Sequence, residues 1–121
     1  MSNRMAGYRD LKVWRDSMNL SLAIYRLTKG FPDDERFGLV AQLRRAAVSV
    51  PSNLAEGHGR GTPKEMARFA AVAKGSLCEL ETQLLLAAEL GMADRESIDR
   101  LLEKADEVSR MLAGLIRSTS R

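Results

Sequence analysis

Apolar side chains recur every three or four residues in four segments of the chain, which are separated by short turns containing glycine or proline. This spacing places the apolar residues of each segment along one face of a helix. The pattern predicts helices over about residues 9–29, 34–57, 63–90 and 94–116. No segment alternates with a period of two for long enough to predict a strand.

Four amphipathic helices joined by short turns can bury their apolar faces only against one another. The pattern therefore predicts an all-α protein, an antiparallel up-and-down four-helix bundle that forms one domain over residues 1–121. In the first helix the predicted core-facing stripe consists of Leu11, Trp14, Met18, Leu22 and Tyr25.

Residues between the segments predict where helices begin and end. Gly30 and the proline that follows it end the first segment, and Asp33 or Asp34 is the expected N-cap of the second. The sequence Thr62-Pro63-Lys64-Glu65 combines a capping box with a proline at the first helical position. It predicts the start of the third helix.

Pro51 lies inside the second apolar segment. Proline has no backbone N–H, and its ring collides with the carbonyl four residues earlier in a helix. Because the apolar pattern continues in phase to Leu54, we expect a kink at Pro51 and not the end of the helix.

Composition narrows the possible chemistry. The chain is 45% hydrophobic and 29% charged, as in an ordinary folded domain. A single cysteine, Cys78, and a single histidine, His58, exclude an intramolecular disulfide and a multi-histidine metal centre. We expect Cys78 to be a small buried side chain. The residues indicate no catalytic set, cofactor or metal site, so we expect a non-enzymatic protein.

The sequence contains no export signal and no apolar run long enough to span a membrane. We therefore expect the protein in the cytoplasm.

Charge is distributed unevenly along the chain. Residues 1–75 carry 13 basic and 7 acidic side chains, a net charge of +6, whereas residues 76–121 carry 6 and 9, a net charge of −3. A basic half attracts polyanions such as nucleic acid through counterion release. The alternative is an uneven surface that is merely solvated.

The second helix also carries a polar stripe, which includes Arg45, Ser49 and Asn53. Ser and Asn are poor interior helix formers, so their concentration suggests a partly buried seam against another helix or subunit. The alternative is that they satisfy backbone groups loosened by Pro51. If the second and third helices are antiparallel, residues whose numbers sum to about 119 face each other. This register places Gly75 at a tight helix crossing near Arg44 or Arg45. It also predicts an ion pair between one of these arginines and Glu79. The full predicted seam is Arg44, Arg45, Ser49, Pro51, Asn53, Glu56, Gly75, Ser76 and Glu79.

Three basic residues, Arg60, Lys64 and Arg68, cluster at the start of the third helix. Backbone amides and the helix dipole favour anions there, so these residues are candidates for a phosphate or nucleic-acid contact. The glycine-containing turn before them lacks the spacing of a phosphate-binding loop. A solvated turn is the alternative.

A set of short motifs in the first three helices is more specific than the periodicity. The motifs are Asp10–Trp14, Phe31-Pro32, Glu35-Arg36, Gln42-Leu43, Arg44–Gly57, Gly59-Arg60, Gly75-Ser76-Leu77 and Glu79-Leu80-Glu81. Together, from residue 8 to about residue 92, they resemble the four-helix-bundle proteins encoded by intervening sequences of bacterial 23S ribosomal RNA.

This resemblance implies a left-handed bundle that assembles as a homopentamer. It also implies kinship with the accessory protein of diversity-generating retroelements, which binds reverse transcriptase and nucleic acid. Our leading hypothesis is a non-enzymatic oligomer that acts as an accessory factor and binds RNA, DNA or a reverse transcriptase-like protein, with no membrane partner. The alternative is a protein-interaction scaffold that makes no contact with nucleic acid.

Overall fold

The computed structural model describes residues 7–119, and over this range the chain is helical with no strand. Single 3-10 turns over Tyr8–Asp10 and Asp33–Glu35 precede the first and second helices. The α-helices are α1 (Lys12–Thr28), α2 (Leu39–Gly59), α3 (Pro63–Glu89) and α4 (Arg95–Thr119). The prediction of four helices without strands is confirmed over the described residues.

Consecutive helices pack side by side and run in opposite directions. Ser49 of α2 lies against Ser76 of α3, whereas Gly57, later in α2, lies against Phe69, earlier in α3. Helices α1 and α2 are also antiparallel, because Ser21 contacts Ala47 whereas Thr28, later in α1, contacts Arg44, earlier in α2. The contacts between α1 and α4 run in opposite directions in the same way. Because α1 also packs against α4, the four helices enclose one core, as in an up-and-down bundle.

The core is aliphatic and receives side chains from every helix. Burying one Leu, Ile or Val side chain contributes about 1.5 to 3 kcal/mol, and small alanines between them allow the helices to approach closely. The largest fully buried apolar residues are Leu20 and Ile24 of α1, Leu43, Val50 and Leu54 of α2, Leu77, Leu80 and Leu84 of α3, and Ile98, Val108 and Leu112 of α4.

The beginning of α2 differs from the prediction. Asp33 and Asp34 lie in a 3-10 turn, and α2 begins only at Leu39. Gly38 has non-helical dihedral angles, φ −106° and ψ −111°, and separates the turn from the helix. The Leu39 N–H donates to the carboxylate Oε1 of Glu35 at 3.1 Å. The acidic cap therefore comes from Glu35, and the predicted N-cap was wrong.

The beginning of α3 agrees with the capping signal. Pro63 is the first helical residue, and the Thr62 hydroxyl oxygen accepts the N–H of Glu65 at 3.1 Å. This bond satisfies one of the amides that a helix start leaves without a partner. The predicted start of the third helix is confirmed.

The helix α2 continues through Pro51 to Gly59, as predicted. Because Pro51 has no N–H, the carbonyl of Ala47 lacks its usual donor within the helix. The hydroxyl of Ser21 on α1 lies 3.0 Å from the Ala47 oxygen and 3.0 Å from the Ser17 oxygen. A buried side chain of the neighbouring helix thus compensates for the missing backbone bond.

Candidate interaction surfaces

The face of α1 that enters the core is not the face that the periodicity predicted. Its buried residues are Val13, Ser17, Leu20, Ser21, Ile24 and Thr28. The hydroxyl of Thr28 donates to the carbonyl four residues earlier, and that of Ser17 to the carbonyl three residues earlier. The Ser21 hydroxyl has one proton and lies 3.0 Å from both the Ser17 and the Ala47 carbonyl oxygens. All three hydroxyls are therefore buried without an unsatisfied donor. Of the predicted stripe, Met18, Leu22 and Tyr25 are exposed, whereas Leu11 and Trp14 are partly buried against the core. Helix α1 therefore has two apolar faces, and the bundle buries only one of them.

The exposed face of α1 and the adjacent side of α2 form an apolar groove with a volume of about 470 Å³. We call it the α1–α2 groove. Leu22, one of its lining residues, is 47% exposed. Its lining residues are Tyr8, Trp14, Met18, Ser21, Leu22, Tyr25, Val48, Pro51, Ser52 and Ala55. An exposed apolar surface of this kind is typical of a binding interface.

Arginines lie over tyrosine rings at both ends of this groove. The guanidinium of Arg9 is 5.7 Å from the centre of the Tyr8 ring, and that of Arg44 is 4.5 Å from the centre of the Tyr25 ring. Within residues 7–119, neither arginine forms an ion pair. The groove is therefore apolar along its length and positively charged at its ends.

Arg44 points towards α1 and not towards α3. Its Nε donates to the Thr28 hydroxyl at 2.9 Å, and a terminal nitrogen donates to the Tyr25 carbonyl at 3.4 Å. The prediction that Arg44 or Arg45 pairs with Glu79 was wrong. Arg45 and Glu79 line one shallow depression on the α2–α3 side, but among the described residues no ion pair joins them.

Three residues of the predicted polar seam form a network between α2 and α3. The Ser49 and Ser76 hydroxyl oxygens are 2.7 Å apart, and the Asn53 side-chain amide donates to the Ser49 hydroxyl at 2.9 Å. The Ser76 hydroxyl also lies 3.3 Å from the Val72 carbonyl. Either of the two serine hydroxyls can be the donor in the bond between them. The network joins the two helices, and Ser49 also lines the shallow depression on the α2–α3 side.

The close crossing of α2 and α3 occurs at Gly57, whereas Gly75 is exposed. A Cβ added at Gly57 would lie 2.8 Å from Cβ of Phe69, but one added at Gly75 would meet nothing within 4 Å. The predicted tight crossing at Gly75 was therefore wrong. The pairs Ser49–Ser76 and Gly57–Phe69 show that the numbers of facing residues in α2 and α3 sum to about 125 and not to 119. This register moves Gly75 away from the crossing.

The predicted anion cluster at the start of α3 contains its own counter-charges. Arg60 pairs with Glu56 at 2.9 Å and lies 3.8 Å from Glu65, which also pairs with Arg68 at 3.0 Å. The hydrogen bond from Arg68 holds the pKa of the Glu65 carboxyl below its usual value. Lys64 is exposed and forms no ion pair among residues 7–119. Glu56, predicted for the seam, thus belongs to this surface cluster.

The outer side of α3 is a second unpartnered surface. We define the α3 outer face as Glu79, Thr82, Leu85, Leu86 and Glu89, which lie on one side of the helix at spacings of three and four residues. Leu86 is 50% exposed, and Leu85 and both glutamates are exposed as well. Cys78 beside them is exposed, so the expectation of a buried cysteine was wrong.

The described residues assemble no cluster of three or more His, Cys, Asp or Glu side chains that could hold a metal ion. The ring of His58 packs edge-on against Tyr8, with the ring centres 6.4 Å apart. Between residues 7 and 119 no helix has the length and hydropathy needed to cross a bilayer.

Comparison with known proteins agrees with this architecture. The family model described as "23S rRNA-intervening sequence protein" matches residues 9–114. A solved protein with unknown function from the S23 ribosomal protein family of Bacteroides thetaiotaomicron superposes with a TM-score of 0.77 at 19% identity, over 86% of this chain and 97% of that one. At this identity the likeness shows a shared fold. No curated protein matches the chain.

Proposed function

Because the chain belongs to the 23S rRNA-intervening sequence protein family, we propose that it is a non-enzymatic, self-associating bundle that contacts nucleic acid as an accessory factor in a nucleoprotein complex. The observation that carries the self-association is the α1–α2 groove, an exposed apolar surface with an arginine at each end that forms no ion pair within residues 7–119. Such a surface provides apolar area for a protein contact, and exposed cations outside the groove provide positive charge for a polyanion.

Assembly would strengthen a weak nucleic-acid contact. The net charge of +3 per chain is modest, and two of the three basic residues at the start of α3 already have glutamate partners. In a homopentamer, each unpaired cation would be presented five times, so that weak contacts act together. We assign this contact to Arg45 and Lys64, which are exposed, lie outside the α1–α2 groove and form no ion pair among the described residues. A reverse transcriptase-like protein is a further partner that the hypothesis includes, with the cytoplasm as the site of action.

Fluorescence anisotropy with structured RNA and with single-stranded DNA tests the nucleic-acid contact. We expect binding at low salt that weakens steeply as salt rises, because counterion release drives it. Replacing Arg45 and Lys64 by Gln should reduce the salt slope, whereas replacing Arg95 and Arg110, which are paired with Asp99 and Asp106, by Gln should have little effect. Absence of binding by the assembled wild-type protein at low salt would refute the nucleic-acid part of the proposal.

The alternative is an interaction scaffold that binds protein and not nucleic acid. It is supported by the mainly apolar lining of the α1–α2 groove and by the glutamates that offset Arg60 and Arg68. A complex that survives nuclease and high salt, and that Leu22→Asp disrupts, would favour the scaffold.

A further inference from the structure

We propose that the α1–α2 groove binds the α3 outer face of a second copy of this chain. This inference rests on the self-association proposed above and specifies the two surfaces that carry it. Both surfaces expose apolar side chains, and they lie on different sides of the bundle. Each is therefore left without a partner in the single chain.

The two surfaces match in shape. Helices pack when the ridge of one enters a groove of the other. Leu85 and Leu86 form a ridge that projects from α3, and both are exposed. The α1–α2 groove is concave and presents Met18, Leu22 and Val48, all exposed, along its length. Inserting the leucine ridge would cover apolar area on both partners.

The two surfaces also match in charge. Glu79 and Glu89 flank the leucine ridge, and neither forms an ion pair within residues 7–119. Arg9 and Arg44 occupy the ends of the groove. Glu89 follows Glu79 by ten positions, which is about 15 Å of helix, since each residue advances the axis by about 1.5 Å. The stretch of α1 that lines the groove, from Trp14 to Tyr25, covers a similar length, about 16 Å.

A contact between two different surfaces is heterologous. Each copy uses its groove for one neighbour and its α3 outer face for another, so such contacts build a ring or an open chain. An isologous dimer would use one surface twice. The two arrangements give different results when variants that damage different surfaces are mixed.

Light scattering and analytical ultracentrifugation of the full-length chain, without nucleic acid, test this inference. Leu22→Asp damages the groove and Leu86→Arg damages the α3 outer face; both side chains are exposed, and circular dichroism verifies that each variant folds. Phe37→Asp is the matched control, because Phe37 is 86% exposed and lies in neither surface. Each damaging variant should weaken self-association about 30-fold or more, whereas the control should assemble like the wild type.

The mixture of the two variants is decisive. Leu22→Asp retains an intact α3 outer face and Leu86→Arg retains an intact groove, so an equimolar mixture should form dimers at twice the 13.4 kDa chain mass and no larger species. Failure of the mixture to dimerise, or assembly that tolerates either substitution, overturns this inference while the proposed self-association stands. A wild-type protein that is monomeric at high concentration overturns both.

Discussion

Ser21 on α1 donates a hydrogen bond to the one carbonyl of α2, that of Ala47, from which Pro51 has removed the backbone donor; the two oxygens are 3.0 Å apart. A proline inside a helix costs about 3 kcal/mol or more, partly because a carbonyl loses its partner. Here the neighbouring helix provides a replacement. The bond also holds α1 against α2 immediately below the groove that these helices form.

We predict that Ser21 and Pro51 are energetically coupled. Ser21→Ala leaves the buried Ala47 carbonyl without a donor and should lower the free energy of unfolding by about 1 to 3 kcal/mol. In a Pro51→Ala background the backbone N–H of residue 51 is restored, so the same substitution should cost about 1 kcal/mol less. A double-mutant cycle from urea denaturation measures the difference. Equal costs in the two backgrounds would contradict the compensation.

Two helical glycines should respond in opposite ways to alanine. Gly57→Ala forces Cβ to within 2.8 Å of Cβ of Phe69, and overpacking of this kind costs about 1 to 3 kcal/mol. Gly75→Ala meets nothing within 4 Å and should stabilise the protein by about 0.5 to 1 kcal/mol, because alanine has the higher helix propensity. Thermal denaturation of the two variants gives the sign of each effect. If Gly75→Ala lowered the melting temperature instead, Gly75 would lie at a tight helix crossing, as the sequence predicted.

Arg44 should not tolerate replacement by lysine. Its guanidinium donates to Thr28 and lies over the Tyr25 ring, and an ammonium group cannot make the planar stack. We expect Arg44→Lys to lower the free energy of unfolding by about 1 to 2 kcal/mol. Arg45→Lys, at the adjacent exposed position, is the control and should change it by less than about 0.5 kcal/mol. Similar losses for both variants in chemical denaturation would remove the special role of Arg44.

Glu81 should make stability fall as pH rises. Partial burial, and secondarily the charge of Asp106, raises the pKa of its carboxyl above the usual value. The folded state therefore retains this proton more strongly than the unfolded state, and stability is lost as pH rises from the unfolded pKa through the raised one. Glu81→Gln removes this loss and should raise the melting temperature at pH 7. After allowance for solvent screening, the corresponding gain in the free energy of unfolding is less than about 1 kcal/mol.

The gain from Glu81→Gln should disappear at a pH below the unfolded pKa, because Glu81 is then protonated in both states. Glu103→Gln, at an exposed position of α4, is the matched control. A gain that persists unchanged in acid would show that the carboxyl charge is not its cause.

Local signals in the sequence were sufficient for most of the fold. The stripe of α2 that contains Leu43, Val50 and Leu54 is the stripe that is buried, because its apolar residues recur in phase from Leu39 to Leu54. The start of α3 was equally clear, since Thr62 and Pro63 act within one turn of the helix. These features depend on neighbours in the chain, and periodicity and capping residues report them directly.

The candidate surfaces were harder to predict for a physical reason. The buried face of α1 carries Ser17, Ser21 and Thr28, which look polar in the sequence. Their hydroxyls lie within hydrogen-bond distance of carbonyls of their own helix, and that of Ser21 also reaches the Ala47 carbonyl of α2. Their burial therefore costs little. A clue was present: a proline at position 51 leaves a carbonyl at position 47 that needs a donor from elsewhere.

The sequence by itself determined the number of helices, the start of α3 and the aliphatic character of the core, because each follows from side-chain spacing or from contacts within one turn. Only the tertiary structure decided which face of α1 is buried, that Gly57 and not Gly75 marks the helix crossing, and that Arg44 binds α1. Those choices depend on which residues of neighbouring helices face one another. That register is set by the packing of all four helices together, and the sequence of a single helix does not specify it.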